Sequence, residues 1–282
     1  GETKISTVGM EGTSLRYRGY DAIKLTETQT YEDVASLIIS DDLDGSKFTT
    51  FFKQYYTELD KDTDVNNLFK QVKSRLHPMD VIRTIVSYIG ESEKKSDLEL
   101  TTQISAAVAY VIASYNENDT SELNDEYTVA SSMLSNNASS DQLQALDDIL
   151  ILYAEHGFNA STFATRVTGS TRSDLTSAIV SGIGTLKGEL HGGANERAVE
   201  LINSFKDVND ATSGVMKMLD EKKKIMGFGH GVYKIQDPRS PVVKSWVEKL
   251  ASDDDAKLRF EIAKKIDELS LIHISEPTRP ID

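Results

Sequence analysis

Cysteine is absent from the 282 residues, which excludes disulfides, thiolate catalysis and cysteine-ligated metal sites. No apolar run is long enough to cross a bilayer, and the first residues lack a charged-then-apolar secretory pattern. Excess positive charge is missing too. The 31 Lys and Arg stand against 45 Asp and Glu, for a formal net charge of -14. Nonspecific binding to nucleic acid or to an acidic membrane needs a basic face, so neither partner is expected. Pro-rich or Gly/Ser-rich linkers and internal repeats are lacking as well, so a domain boundary is expected at a functional turn. The missing cysteine is compatible with a reducing cytoplasm. The chain opens on Gly1 rather than Met, so preceding residues are expected.

What is present is helical periodicity on a chain long enough for one large or two unequal domains. Thr30 and Asp33 form a capping-box pattern ahead of Val34, Leu37 and Ile38. Val65, Leu68, Phe69 and Val72 share a face, which His77-Pro78 interrupts. Ile82, Ile85, Val86 and Ile89 form another, ending at Gly90. A long helix is expected from Leu98 to Tyr115, a loop from Asn116 to Asn124, and a fully buried helix from Leu143 to Ala154. Strand signal is confined to Lys4–Val8 and Leu15–Tyr20, a possible hairpin around Gly9 and Gly12. The expected class is all-α with a small N-terminal β-hairpin.

Only five histidines occur: His77, His156, His191, His230 and His273. His191 lies in Lys187-Gly188-Glu189-Leu190-His191-Gly192-Gly193-Ala194-Asn195-Glu196. His230 lies in Gly227-Phe228-Gly229-His230-Gly231-Val232-Tyr233-Lys234, with Asp237-Pro238-Arg239 behind it. Glycine lets the backbone turn sharply and admits a ligand to main-chain N–H groups. A histidine at a helix start sits near the positive dipole end, which favours a neutral, hydrogen-bond-donating ring. One glycine-flanked histidine is more often a turn or a satisfied buried residue. Two, with an arginine close behind the second, point to an active site.

These two stretches resemble the signatures of the citrate synthase family. Further matches follow the family's order: Tyr17-Arg18-Gly19-Tyr20-Asp21, His77-Pro78-Met79-Asp80-Val81-Ile82-Arg83-Thr84, and Glu155-His156-Gly157-Phe158-Asn159-Ala160-Ser161-Thr162-Phe163. The resemblance implies a helical two-domain homodimer that condenses an acyl-CoA with a 2-oxo acid, without a metal or permanently bound cofactor. It implies a large domain over 1–187 and a small one over 188–270. By resemblance His191 donates to the acetyl-CoA thioester oxygen, where charge develops as the enolate forms. His230 polarises the oxaloacetate ketone, His156 contacts oxaloacetate, and Arg239 offers a planar fork to one of its carboxylates.

Lys222-Lys223-Lys224, continuing through Ile225 and Met226 to Gly227, suits the phosphates and adenine of CoA, and Lys234 is a further phosphate contact. Taken alone, such a lysine run is more often a solvated helix end. His77 reads equally as a structural helix-end residue lining the cleft, and Arg83 fits less clearly. Glu189 and Gly231 depart from residues common in relatives without removing a catalytic side chain.

The family's catalytic base is an aspartate in a Pro-Asn-x-Asp motif downstream of the second histidine, followed by two carboxylate-binding arginines, one from the partner subunit. No such motif follows Arg239. Residues 271–282 resemble translated adapter or vector sequence, so a truncated gene with a foreign tail is expected, the alternative being a divergent native terminus. Three readings stay open: citrate synthesis, 2-methylcitrate synthesis from propionyl-CoA, and CoA or dicarboxylate binding without turnover.

Overall fold

The computed structural model describes residues 3–9, 14–90, 95–116, 127–228, 233 and 237–275, with backbone alone for 271–275. The chain divides into two compact units, Gly1–Leu186 and Lys187–Asp282. Fourteen helices and one small sheet make up the described residues, and none of these helices is long and apolar enough to cross a membrane.

The first unit begins with β1 (Ser6–Val8), β2 (Leu15–Tyr17) and β3 (Tyr20–Asp21), an antiparallel sheet in that order. Ser6 pairs with Tyr17 and Val8 with Leu15, as a hairpin requires. The second expected strand is split: Arg18 and Gly19 take positive φ values of 48° and 91°. That turn folds Asp21 back opposite Arg16, making a third strand. Asp21 then caps α1 (Ala22–Thr28), and Thr30 with Asp33 forms a reciprocal capping box at α2 (Tyr31–Ser40).

The main core lies among α3 (Ser46–Lys61), α5 (Pro78–Ile89) and α6 (Asp97–Tyr115). Phe48, Phe52 and Tyr56 run down one side of α3, with ring centroids 6.5 and 5.7 Å apart. Ala106, Ala107, Ala109 and Ala113 on α6 are fully buried, and such small side chains let neighbouring helices approach closely. Helix α4 (Thr63–Val72) precedes α5, whose start is capped by the His77 ring accepting from the Met79 N–H at 3.1 Å. Pro78 occupies the first turn, where its missing N–H costs nothing.

Helices α7 (Val129–Met133) and α8 (Ser140–Tyr153) close the unit against α2. The expectation of a fully buried helix here is corrected. Only Ala145, Asp148, Ile151 and Leu152 of α8 are buried, because its other face carries polar residues such as Gln142 and Gln144. Residues 117–124 of the expected loop lie outside the described residues. The hairpin α9 (Ala160–Ser170) and α10 (Leu175–Leu186) ends the unit, with Thr168 Oγ1 donating to Ser181 Oγ at 2.9 Å.

A buried acidic cluster sits where α2 meets α7 and α8. Glu32 is 3% exposed and accepts from the Val129 N–H at 2.7 Å, while Asp147 accepts from the Tyr31 N–H at 3.2 Å. Burial, then the Glu32 charge, pushes the Asp147 carboxyl up to about 7. Burial likewise raises Glu32 and lifts the Tyr31 phenol to about 12. An unfolded aspartate loses its proton near about 3.9, so the folded state binds the extra proton, and stability from this group falls as pH rises between the two values. Asp147→Asn keeps an acceptor for Tyr31 and removes the charge. It is expected to raise the melting temperature at pH 8 by about 2–4 °C, or about 1 kcal/mol after allowing for partial exposure, and to change little at pH 4. Thermal scans at the two pH values check this; an equal shift at both would refute it.

The second unit contains α11 (Gly193–Ser204), α12 (Val208–Asp220), α13 (Ser240–Leu250) and α14 (Asp254–Ser275). Ala211 and Val215 of α12 bury against Ile262 and Ile266 of α14. Arg259 ties α14 to the end of α11 by donating to the Phe205 carbonyl at 2.8 Å. The segment from Leu271 lacks apolar periodicity, yet the backbone stays helical to Ser275. Elongation costs little once a helix exists, and no proline intervenes before Pro277.

Candidate active site

In the second unit, the turn before α11 is built on one carbonyl. Gly188 O accepts from the N–H of His191 at 2.9 Å and from that of Gly193 at 3.1 Å. The His191 carbonyl in turn accepts from the Ala194 N–H at 3.1 Å, so His191 stands in the turn just before the N-cap Gly192 of α11, half-buried. Gly193 is needed for this closure: a Cβ there would come within 2.9 Å of the Gly188 and Lys187 oxygens. Glu189 pairs with Arg197 of α11 at 3.5 Å, both well exposed, and such a pair contributes little. The departure at this position is thereby accommodated within the turn.

Lys222 and Lys223 finish α12. Lys222 takes a left-handed φ of 55°, its N–H donates to Leu219 O, and the Lys223 N–H reaches back to Met218 O. This pattern satisfies the last carbonyls of a helix. Lys222, Lys223 and Lys224 are all exposed, and Lys223 pairs with Glu221 at 2.6 Å. The run is thus an exposed stretch just past the helix, favourably placed at the negative pole of α12. Ile225 and Phe228 pack on the second unit's core, and Met226 is half-buried. Gly227 (φ 84°) comes so close to α11 that an added Cβ would sit 2.4 Å from Ala198 Cβ. The 222–228 segment and the His191 turn thus meet the same helix within one unit.

Arg239 caps the start of α13 and grips Asp237 through both Nε and Nη2. Tyr233 is buried nearby, its phenol pushed up to about 12 by burial and then by the Asp237 charge, with Arg239 opposing. His230, Gly231 and Lys234 lie outside the described residues.

In the first unit His156 is half-buried on the turn between α8 and α9. That turn is held from several sides. Tyr17 Oη donates to the Ile151 and Leu152 carbonyls at 2.9 and 3.1 Å, Ser6 Oγ donates to Glu155 at 2.8 Å, and Glu155 also accepts from the Gly157 N–H. Gly157 takes φ 65°, and Asn159 caps α9 by accepting from the Thr162 N–H at 3.0 Å. His77 is accounted for as a helix cap. Arg83 pairs with Asp80 at 3.0 Å and lines an open groove of about 460 Å³ with Leu68, Thr84, Ser87, Tyr88 and Val180. No group of three or more His, Cys, Asp or Glu among the described residues could hold a metal ion.

Asp237 and Glu155 lie inside the signature stretches, and the sequence alone assigns neither a role. The signal was available for Asp237: an aspartate two residues before an arginine can reach both its backbone and its guanidinium.

The helical architecture is that of solved citrate synthases. The structure of citrate synthase from Thermotoga maritima matches 98% of this chain and 77% of its own length, with a TM-score of 0.82 and 28% identity. That of the Thermoplasma acidophilum enzyme, solved as a ternary complex with carboxymethyl coenzyme A and oxaloacetate, matches with TM-score 0.83 and 27% identity over 97% of this chain and 76% of its own. The family description "Citrate synthase, C-terminal domain" matches residues 1–280, and the chain belongs to the citrate synthase family. Among curated relatives, the 2-methylcitrate synthase of Shewanella oneidensis is 40% identical, covering 93% of this chain and 74% of the relative. The citrate synthase of Mycolicibacterium smegmatis is 32% identical, covering 92% and 73%.

Proposed function

We propose that this chain provides the binding and polarising machinery for condensing an acyl-CoA with oxaloacetate, releasing a tricarboxylate and free CoA. The observation that carries this is the Gly188–Gly193 turn, which sets His191 at the start of α11 in a chain of this family. His191 donates to the thioester oxygen, where the developing enolate charge needs a preorganised donor. His230 polarises the ketone, Arg239 receives a carboxylate, and His156 contacts oxaloacetate. Lys222, Lys223, Lys224, Ile225, Met226, Gly227 and Lys234 form the CoA cradle. The exposure of the three adjacent lysines supports the phosphate part of that role. Residues 1–187 are read as the large domain and 188–270 as the small one.

Acetyl-CoA is the first reading for the acyl donor. A specific observation favours propionyl-CoA as the second: the relative at 40% identity carries the name 2-methylcitrate synthase. One methylene in an apolar pocket is worth only ~1–3 kcal/mol, so the shared signatures do not separate the two. Both donors and both products are water-soluble, and the cytoplasm is the compartment assigned.

A homodimer is the proposed assembly. It is supported by α9, which buries none of its residues and leaves Phe163 63% and Val167 52% exposed.

Calorimetric titration of the 282-residue chain with oxaloacetate is expected to show saturable binding, and CoA is expected to bind the loaded protein. Sedimentation of the same samples is expected to give the mass of two chains. Absence of binding by both ligands would remove the functional reading, and a monomer throughout would remove the dimer.

A further inference from the structure

Asp237 makes four contacts with Arg239. Its Oδ1 accepts from the Arg239 backbone N–H at 3.0 Å and from Nε at 2.9 Å. Its Oδ2 accepts from Nη2 at 2.6 Å and from Nε at 3.2 Å. The Asp237 carbonyl also accepts from the Ser240 N–H at 3.1 Å, closing the turn that opens α13. The pair is largely out of water, with side chains 13% and 22% exposed. Buried Tyr233 adjoins both partners electrostatically.

From this geometry we infer that Asp237 is the positioning residue that presents the Arg239 guanidinium to a substrate carboxylate. The inference rests on the reading of Arg239 as the oxaloacetate ligand and deepens it. An arginine side chain is long and loses much rotamer freedom when fixed, a cost an incoming ligand would otherwise bear. Asp237 bears that cost beforehand. One carboxylate fixes the backbone at Arg239 and the plane of its guanidinium together. It engages Nε and one Nη2 hydrogen, two of the five N–H donors on the group.

A counter-effect exists: Asp237 also neutralises the charge that attracts a dicarboxylate. The hydrogen bonding decides between them. A merely neutralising carboxylate needs no contact with the arginine's own backbone N–H, whereas one that sets orientation gains from anchoring both ends of the residue.

Asp237→Asn separates the two parts, since its amide oxygen still caps the Arg239 N–H but the charged side-on pair is lost. Calorimetric titration of the 282-residue chain with oxaloacetate is expected to show about tenfold weaker binding for Asp237→Asn. Arg239→Gln is expected to lose binding more severely, and adding Asp237→Asn to it should change nothing further, because the two act through one group. A turn-building role alone would make the aspartate's effect persist in the Arg239→Gln background.

Far-UV spectra establish folding of each variant. If Asp237→Asn does not fold, Asp237→Ser, which keeps an oxygen for the turn, takes its place with the same expectation. Unchanged binding in Arg239→Gln, or no binding by the parent chain, overturns the reading of Arg239. Severe loss in Arg239→Gln with undiminished or tighter binding in Asp237→Asn overturns the positioning role alone.

Discussion

Given oxaloacetate and either acyl-CoA, the 282-residue chain is expected to release CoA about 10²–10⁴-fold more slowly than a chimera of itself, the range that general base catalysis supplies. The chimera joins residues 1–267 to a C-terminal segment that contains a Pro-Asn-x-Asp motif. The reason is chemical. The α-hydrogen of an acyl-CoA is weakly acidic, and a donor on the thioester oxygen cannot by itself remove it. None of the five prolines in this chain is followed by asparagine. Four carboxylates that could substitute are held in other contacts. Asp267 holds Lys244 in an ion pair at 2.5 Å. Asp147 and Glu32, whose raised affinity for protons would suit a base, satisfy the N–H groups of Tyr31 and Val129, and Glu32 is sealed from solvent. Asp237 is held by Arg239. Spectrophotometric assay of free thiol reads the comparison directly. Equal, oxaloacetate-dependent rates for the two proteins would mean that one of these carboxylates serves as the base after all. Run with acetyl-CoA and propionyl-CoA in parallel, the same assay gives the acyl preference.

Helices with a polar face were legible in the sequence because an amphipathic stripe is recorded at helical spacing. Val34 and Leu37 on α2, and Ile82, Ile85 and Val86 on α5, are buried as their spacing required. Caps were legible for the same local reason: Thr30 with Asp33, and His77 with Pro78, are decided within four residues. The third strand was not legible, because it depends on Arg18 accepting a left-handed backbone, a conformation composition does not advertise in a non-glycine residue. Nor was the packing partner of α8. Its apolar run is set against the N-terminal sheet through Tyr17 and Ile151, a contact spanning 134 residues of chain. For the candidate site, residue types and turns were legible while partners were not. Asp237 gripping Arg239 and Gly227 pressing on Ala198 are tertiary outcomes. The lysine run shows the limit in the other direction: its left-handed Lys222 terminates α12 whether or not a phosphate ever arrives.

His191→Ala in the chimera is expected to lower kcat/KM by about 10²–10³-fold, the range for removing one donor to a developing oxyanion, while oxaloacetate affinity stays within about twofold. The substitution leaves the backbone hydrogen bonds of the turn in place. The bond that closes it runs from the backbone N–H of residue 191 to Gly188 O, and the Ala194 N–H still finds the residue 191 carbonyl. Residue 191 also lies before the N-cap Gly192, so the substitution removes no residue of α11 itself. What disappears is the ring, and with it a hydrogen bond whose worth grows as charge moves onto the thioester oxygen. A group that acts mainly in the transition state should depress turnover and spare ground-state binding of the other substrate. Arg239→Ala in the same chimera should show the opposite split, with KM for oxaloacetate rising most, because a carboxylate keeps its charge from ground state to transition state. Measuring kcat and KM for both variants distinguishes the roles. Should His191→Ala weaken oxaloacetate binding as strongly as it slows turnover, His191 is an oxaloacetate ligand, and the enolate donor must be sought on another residue.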